Sequence, residues 1–137
     1  MRFVLCAAPS YIAQRGAPIC PEDLRHHECL GFAYGFTRDR WRFTSPDGEE
    51  EIDVKCRTVA NNGQALLTLA LAGLGVLMQP EALVREALST GDLVPLLADY
   101  AVPSRPLHIL YAPDRRITPK LRSFLDFAVE KFSREER

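Results

Sequence analysis

The residues best suited to binding a ligand are three consecutive ones, Asn61, Asn62 and Gly63. They precede the strongly apolar segment 64–72, which is predicted to be a helix. The first N–H groups of a helix have no partner inside it, and the helix dipole favours negative charge there. Asn adds neutral donors, and Gly allows a ligand to approach the backbone closely. Two interpretations are open: a site for a carboxylate or another small anion, or simple capping of the helix by Asn.

Aromatic residues at alternate positions form a second candidate feature. Phe32, Tyr34 and Phe36 follow a short apolar run and could wall a pocket. Aromatic side chains in such a pattern also serve core packing, so this alternative stays open.

The cysteines and histidines do not form a recognisable catalytic or metal-binding motif. Cys6, Cys20, Cys29 and Cys56 are irregularly spaced and include no C-x-x-C pair. A zinc site that joins Cys29 to His26 and His27 lacks a second pair of ligands. There is no G-x-S-x-G elbow, phosphate loop or dinucleotide fingerprint. We therefore expect free thiols, no metal, no cofactor and no enzymatic activity. A small enzyme that uses Cys29 or His27 is the alternative.

Short apolar runs alternate with helical patterns along the chain, which predicts an α/β fold. Strands are predicted at 2–7, 29–32, 76–78, 93–97 and 107–111, and a hairpin at 41–44 and 52–55 with Glu49–Glu51 at its tip. Helices are predicted near Ser10, from Cys20 to His27, at 64–72, after Pro80 and from Thr118 onwards. Helix 64–72 is apolar on almost every side and is predicted to be buried.

Length and charge narrow the possible functions. The chain has 137 residues and a formal net charge of -1, which fits one domain, or one lobe and part of another. Near-neutral charge argues against nucleic-acid binding by this chain itself. The longest apolar stretch, 65–78, is too short to span a membrane. The apolar run after Met1 is too short for a signal peptide.

Six stretches of the sequence match motifs of one family. The segments 7–18, 21–30 and 41–43 are similar to A-S-P-x-Y-L…G-x-P, P-x-D-L…H-x-C-L and W-x-F. The segments 72–80, 91–97 and 119–127 are similar to A-G-L-G-I-x-x-L-P, G-x-L-V-x-V-L and P-K-x-R-A-F-x-D-F. Ala8 stands where Ser is common, and Gln79 where Leu is common. In this order, the stretches resemble the C-terminal part of the effector-binding domain of LysR-type transcriptional regulators.

The resemblance implies a fold like that of type 2 periplasmic binding proteins. Residues 1–105 would form lobe two with the crossover strands, and 106–137 the returning strand and C-terminal helix of lobe one. The helix-turn-helix DNA-binding domain would be absent from this sequence.

The resemblance also implies a function. The chain would be the effector-sensing part of a cytoplasmic regulator that binds a small metabolite, expected to be a carboxylate, in a cleft between the lobes. DNA would be bound only through the missing N-terminal domain, and no membrane is involved. The implied effector-binding residues are Phe32, Ala33, Tyr34, Asn61, Asn62 and Gly63. A solute-binding module of a transport system is the alternative outside the regulators.

The last helix is expected to lack packing partners if most of lobe one is missing. Its predicted apolar stripe consists of Leu121, Phe124, Leu125, Ala128 and Phe132. The stripe must pack on lobe two or on a second copy, or stay exposed. We expect the chain to form homo-oligomers, either by self-association or by a swap of its C-terminal segment between copies, which light scattering at high concentration would detect. We also expect it to bind effector weakly, because half of the cleft wall would be absent.

Overall fold

The structure is a computed structural model, and it describes residues 1–35, 38–112 and 117–135. The chain divides into two compact units. One consists of Arg2–Ser104, and the other of Met1 with Arg105–Arg137.

The larger unit contains a five-stranded sheet, a hairpin and three α-helices. Its elements in chain order are β1 (Phe3–Ala7), α1 (Pro9–Arg15), a 3-10 helix (Pro21–His26), β2 (Cys29–Phe32), β3 (Arg40–Ser45), β4 (Gly48–Asp53), β5 (Thr58–Ala60), α2 (Gly63–Leu71), β6 (Val76–Pro80), α3 (Glu81–Thr90) and β7 (Val94–Pro95). The predicted mixture of strands and helices is confirmed.

The strand order of the sheet is β5-β2-β6-β1-β7. Strand β2 is parallel to both β5 and β6, whereas β1 runs antiparallel to β6 and β7. The carboxyl ends of β2, β5 and β6 therefore lie at the same edge of the sheet. In parallel sheets, this is the edge at which ligands bind.

Both faces of the sheet are buried, which explains the continuous apolar character of its central strands. In β6, Val76 and Met78 belong to the core on one face, and Leu77 to the core on the other. Helix α1, the 3-10 helix and the hairpin contribute to the first core. Helices α2 and α3 cover the second core with Leu66, Leu67, Ala70, Val84 and Ala87.

The hairpin of β3 and β4 is a two-stranded sheet with one buried face. Trp41, Phe43, Ile52 and Val54 are each at most 4% exposed. Because side chains alternate along a strand, Arg40 and Arg42 lie on the opposite face, where both pair with Glu51. The hairpin therefore packs into the first core.

The smaller unit contains α4 (Pro119–Glu135). Thr118 caps this helix as predicted, since its hydroxyl accepts a hydrogen bond from the N–H of Leu121 at 3.3 Å. Of the predicted apolar stripe, Ala128 is buried, and Leu121 and Leu125 are half-buried. Phe124 and Phe132 are 56% and 47% exposed.

Three local predictions are wrong. Residues 107–111 form no strand, because no described residue pairs with them in a β-ladder. Glu49–Glu51 lie within β4 opposite Thr44, Phe43 and Arg42, since Gly48 already pairs with Ser45. Helix α2 is buried on one side only, and Leu71 is 42% exposed.

Candidate functional site

The two segments predicted to bind a ligand meet at the carboxyl edge of the sheet. Phe32 ends β2 and pairs with Ala60, which ends β5. The N–H of Ala33 continues this pairing by donating to the carbonyl of Ala60 at 2.9 Å. Segment 32–34 therefore lies beside segment 61–63, and we call the two segments together the carboxyl-edge site.

Asn62 acts as the N-cap of α2. Its Oδ1 accepts hydrogen bonds from the N–H groups of Gln64 at 2.9 Å and Ala65 at 3.2 Å. The side-chain oxygen of Asn62 therefore caps the helix, as the capping interpretation predicts. Two of the first N–H groups of α2 already have a hydrogen-bond partner.

The start of α2 still offers groups that suit an anion. Gly63 opens the helix, and none of the described hydrogen bonds uses its N–H. The first turn carries no acidic side chain, so no carboxylate of this helix neutralises its dipole. Asn61 is exposed immediately before the cap.

Two of the predicted aromatic residues form a pair at the carboxyl-edge site. The ring centroids of Phe32 and Tyr34 lie 6.3 Å apart with an interplanar angle of 71°, which is an edge-to-face contact. Phe32 packs against the second core, whereas Tyr34 is 68% exposed. Phe36 lies outside the described residues.

Gln79 is a polar residue of this region that was not among the predicted site residues. It lies near the carboxyl end of β6 and is only 6% exposed, the one buried polar residue of the described chain. Its Oε1 lies 3.2 Å from the position that a Cβ on Gly63 would occupy. The sequence feature that could have pointed to Gln79 is a polar residue directly after the apolar run 76–78.

The carboxyl-edge site is distinct from the cavities beside the hairpin. Two shallow cavities of about 420 and 410 Å³ lie elsewhere, beside the hairpin. Arg25, His26 and Lys55 line the first, Asp39 and Arg40 the second, and Asp53 both. None of the six predicted effector-binding residues lines either cavity.

A hydrogen-bonded group of polar residues surrounds Tyr11. Its hydroxyl accepts from the N–H of Glu28 at 3.0 Å and lies 2.9 Å from His27 Nδ1. The tautomer of the His27 imidazole decides which of the two groups donates in the bond between the hydroxyl and Nδ1. Tyr11 is a buried residue of α1. Its hydrogen bonds therefore connect α1 to the segment before β2.

The geometry does not support a nucleophile made of Cys29 and His27. Burial raises the pKa of the Cys29 thiol, which keeps it protonated. Its Sγ contacts the carbonyl of Leu24 at 3.7 Å rather than the imidazole. Within the described ranges, no three His, Cys, Asp or Glu side chains are grouped closely enough to hold a metal ion.

His27 predicts a pH dependence of stability. Burial, followed by the positive charge of Arg15, lowers its pKa in the folded state. The unfolded chain then takes up the proton first as pH falls, so stability is complete above the unfolded pKa of about 6.5 and declines below it. Asp23 opposes this shift and His26 adds to it.

Replacing His27 by Gln is expected to reduce the loss of melting temperature between pH 7.5 and pH 5. Thermal unfolding of both proteins across this range measures the difference. His26→Gln is the comparison variant, because it removes the exposed imidazole that contributes least to the lowered pKa of His27 and should change the pH profile less. Identical pH profiles for His27→Gln and the unmodified chain would contradict the prediction.

Comparison with known proteins shows the family. Residues 1–133 match the model of the LysR substrate binding domain. The chain belongs to this family. As a LysR substrate-binding domain, it has the fold class implied by its motifs, like that of type 2 periplasmic binding proteins.

Curated relatives and solved structures agree with this assignment. The HTH-type transcriptional regulator CrgA of Neisseria meningitidis serogroup B is 33% identical over 131 residues, which are 95% of this chain and 44% of CrgA. The full-length structure of the virulence activator AphB of Vibrio cholerae matches with a TM-score of 0.81 and 27% identity, over 95% of this chain and 44% of AphB. The regulatory domain of CrgA matches with a TM-score of 0.73 and 32% identity, over 95% of this chain and 64% of that domain.

These matches bear on the alternatives. The chain spans less than half the length of CrgA and AphB, consistent with a partial effector-binding domain. Both relatives are described as regulators rather than as enzymes or transport proteins. No helix in the described part of the chain is long and apolar enough to cross a membrane.

Proposed function

We propose that this LysR substrate-binding domain senses a small carboxylate at the carboxyl-edge site. The observation that carries the proposal is the pairing of Phe32 with Ala60, which places segment 32–34 beside the N-terminus of α2. The ligand's carboxylate would accept a hydrogen bond from the N–H of Gly63, with its charge stabilised by the helix dipole. Asn61 and Asn62 would add amide donors, and Phe32, Ala33 and Tyr34 would flank the ligand.

In a longer regulator, we infer that this site forms one wall of a cleft between two lobes. Residues 1–105 would supply lobe two, and 106–137 part of lobe one. A ligand that binds the closed form more tightly would shift the relative positions of the lobes. DNA would be bound by a separate N-terminal domain, and the regulator would act in the cytoplasm.

We also propose that copies of the chain associate through α4. Phe124, Phe127, Val129 and Phe132 are each at least 47% exposed, and exposed apolar residues at this density mark an interaction surface. Light scattering is expected to give a mass above 15.4 kDa that rises with concentration. A constant monomer mass at high concentration would contradict the association.

The carboxylate proposal is tested most directly by Gln64→Glu. Gln64 is exposed in the first turn of α2, so an added negative charge there repels a ligand carboxylate. The same charge suits the helix dipole, so the melting temperature should not fall. We expect the dissociation constant of a bound carboxylate to rise by roughly 3- to 10-fold at low salt, and the effect to shrink as salt is added.

The measurement is a ¹⁵N NMR titration of the chain with succinate, benzoate and L-malate, read at the amide of Gly63. Gln14→Glu is the matched control, because it adds the same charge at an exposed position of α1. The proposal fails if none of the three acids shifts the Gly63 amide. It also fails if Gln64→Glu and Gln14→Glu weaken binding equally.

A further inference from the structure

Gln79 breaks an otherwise apolar pattern at a buried position. It follows Val76, Leu77 and Met78 in β6 and is 94% removed from solvent, as its exposure of 6% shows. Among the described residues, no hydrogen bond involves its side-chain carboxamide. A polar side chain in so apolar a setting needs a physical explanation.

The carboxamide lies beneath the start of α2. Because side chains alternate along β6, Gln79 lies on the same face as Leu77, which packs with α2 and α3. A Cβ on Gly63 would lie 3.2 Å from Gln79 Oε1 and 2.9 Å from Leu83 Cδ2. Glycine at position 63 therefore allows the helix N-terminus and the carboxamide to approach each other.

The polar atoms of this carboxamide are not fully enclosed. No fully buried side-chain oxygen or nitrogen of the described residues lacks a hydrogen-bond partner. The unpartnered polar atoms of Gln79 must therefore retain some accessible surface. Asn62 occupies the N–H groups of Gln64 and Ala65, so the N–H of Gly63 and the Gln79 carboxamide are neighbouring groups that remain available.

We propose that Gln79 determines the ligand specificity of the carboxyl-edge site by pairing with a hydroxyl or oxo group of a small carboxylate. The inference rests on the function proposed above and narrows the ligand class to hydroxy or oxo acids. The carboxylate accepts from the N–H of Gly63, and the neutral group of the ligand pairs with the carboxamide. An amide both donates and accepts, so it accommodates either neutral group.

Discrimination follows from the cost of leaving Gln79 unpaired. An acid that carries only hydrocarbon beside its carboxylate would cover the carboxamide without giving it a partner. Sites built to hydrogen-bond a ligand hydroxyl discriminate strongly against analogues that lack it. We expect the hydroxy acid of a matched pair to bind roughly 10- to 100-fold more tightly than its deoxy analogue.

The test is a ¹⁵N NMR titration of the 137-residue chain with three matched pairs of acids. The pairs are L-malate and succinate, L-lactate and propionate, and salicylate and benzoate. We expect at least one hydroxy acid to shift both the Gly63 backbone amide and the Gln79 side-chain amide, and to bind more tightly than its partner.

Gln79→Met isolates the carboxamide, because methionine is also unbranched and has a similar length. In this variant, we expect both acids of the pair to shift Gly63 with equal affinity. The melting temperature should not fall, because the carboxamide makes no hydrogen bond to the described residues. Gln14→Met, at an exposed position in α1, should keep both the preference and the melting temperature.

The outcomes separate this inference from the proposed function. If acids shift Gly63 but each pair binds equally to the unmodified chain, the role of Gln79 is overturned and carboxylate binding stands. If the preference for the hydroxy acid persists in Gln79→Met, the role of Gln79 is likewise overturned and carboxylate binding stands. If none of the six acids shifts Gly63, both proposals are overturned.

Discussion

Replacing Phe43 by Ala is expected to lower the free energy of unfolding by about 3 to 5 kcal/mol. Phe43 has no exposed surface, and it belongs to the same core as Leu5, Tyr11 and Val76. Truncation to Ala removes apolar burial and leaves a cavity that the surrounding strands can fill only in part. The loss is a large fraction of the stability of a typical domain.

Urea unfolding followed by tryptophan fluorescence measures this loss, since Trp41 lies in the same core. Arg42→Ala is the matched control one residue away. Arg42 lies on the exposed face and pairs with Glu51 at 2.8 Å, and exposed ion pairs contribute little to stability. A Phe43→Ala loss as small as that of Arg42→Ala would show that the hairpin does not contribute to the core.

Replacing Gly75 by Ala is expected to cost about 2 to 4 kcal/mol of unfolding free energy, because one methyl group collides with backbone. A Cβ at this position would lie 2.6 Å from the carbonyl oxygen of Glu28. That oxygen accepts the hydrogen bond from the N–H of Val76 at 2.8 Å, which adjoins the pairing of β2 with β6. The N–H of Glu28 donates to the hydroxyl of Tyr11. A displacement of the Glu28 backbone therefore also disturbs the hydrogen bonds around His27.

Gly91→Ala is the control for glycine replacement in general. Gly91 has a φ of 81°, which disfavours any other residue, but no atom lies within 4 Å of the added Cβ. This variant therefore isolates backbone strain, which costs roughly 1 kcal/mol. Thermal and urea unfolding of both variants give the comparison. Equal losses at Gly75 and Gly91 would show that the contact with Glu28 is not decisive.

The pattern of apolar residues predicted the helices and central strands, because which faces of these elements are buried can be read from residues close together in the sequence. The run 76–78 is apolar on both faces, and its strand is buried on both faces. Residues 107–111 carry the same signal but have no strand partner among the described residues. Strand β5 was missed because it has only three residues, Thr58–Ala60, and depends on pairing with β2.

The candidate site was predictable in outline but not in detail. The position of Asn62 before an apolar helix indicated a cap, and the structure shows one. The proximity of Phe32 to Ala60 could not be derived from spacing, because it depends on the hairpin returning the chain beside β2. The approach of Gln79 to Gly63 depends on how α2 packs across the sheet, and no local pattern encodes it.

The two outer strands of the five-stranded sheet have a consequence for aggregation. Strand β5 has three residues, and β7 has two, one of which, Pro95, has no N–H to donate. Short or proline-containing outer strands offer little backbone for an added strand from another molecule. Amyloid-like growth through this sheet is therefore disfavoured, and any orderly assembly of copies must use side chains on other surfaces.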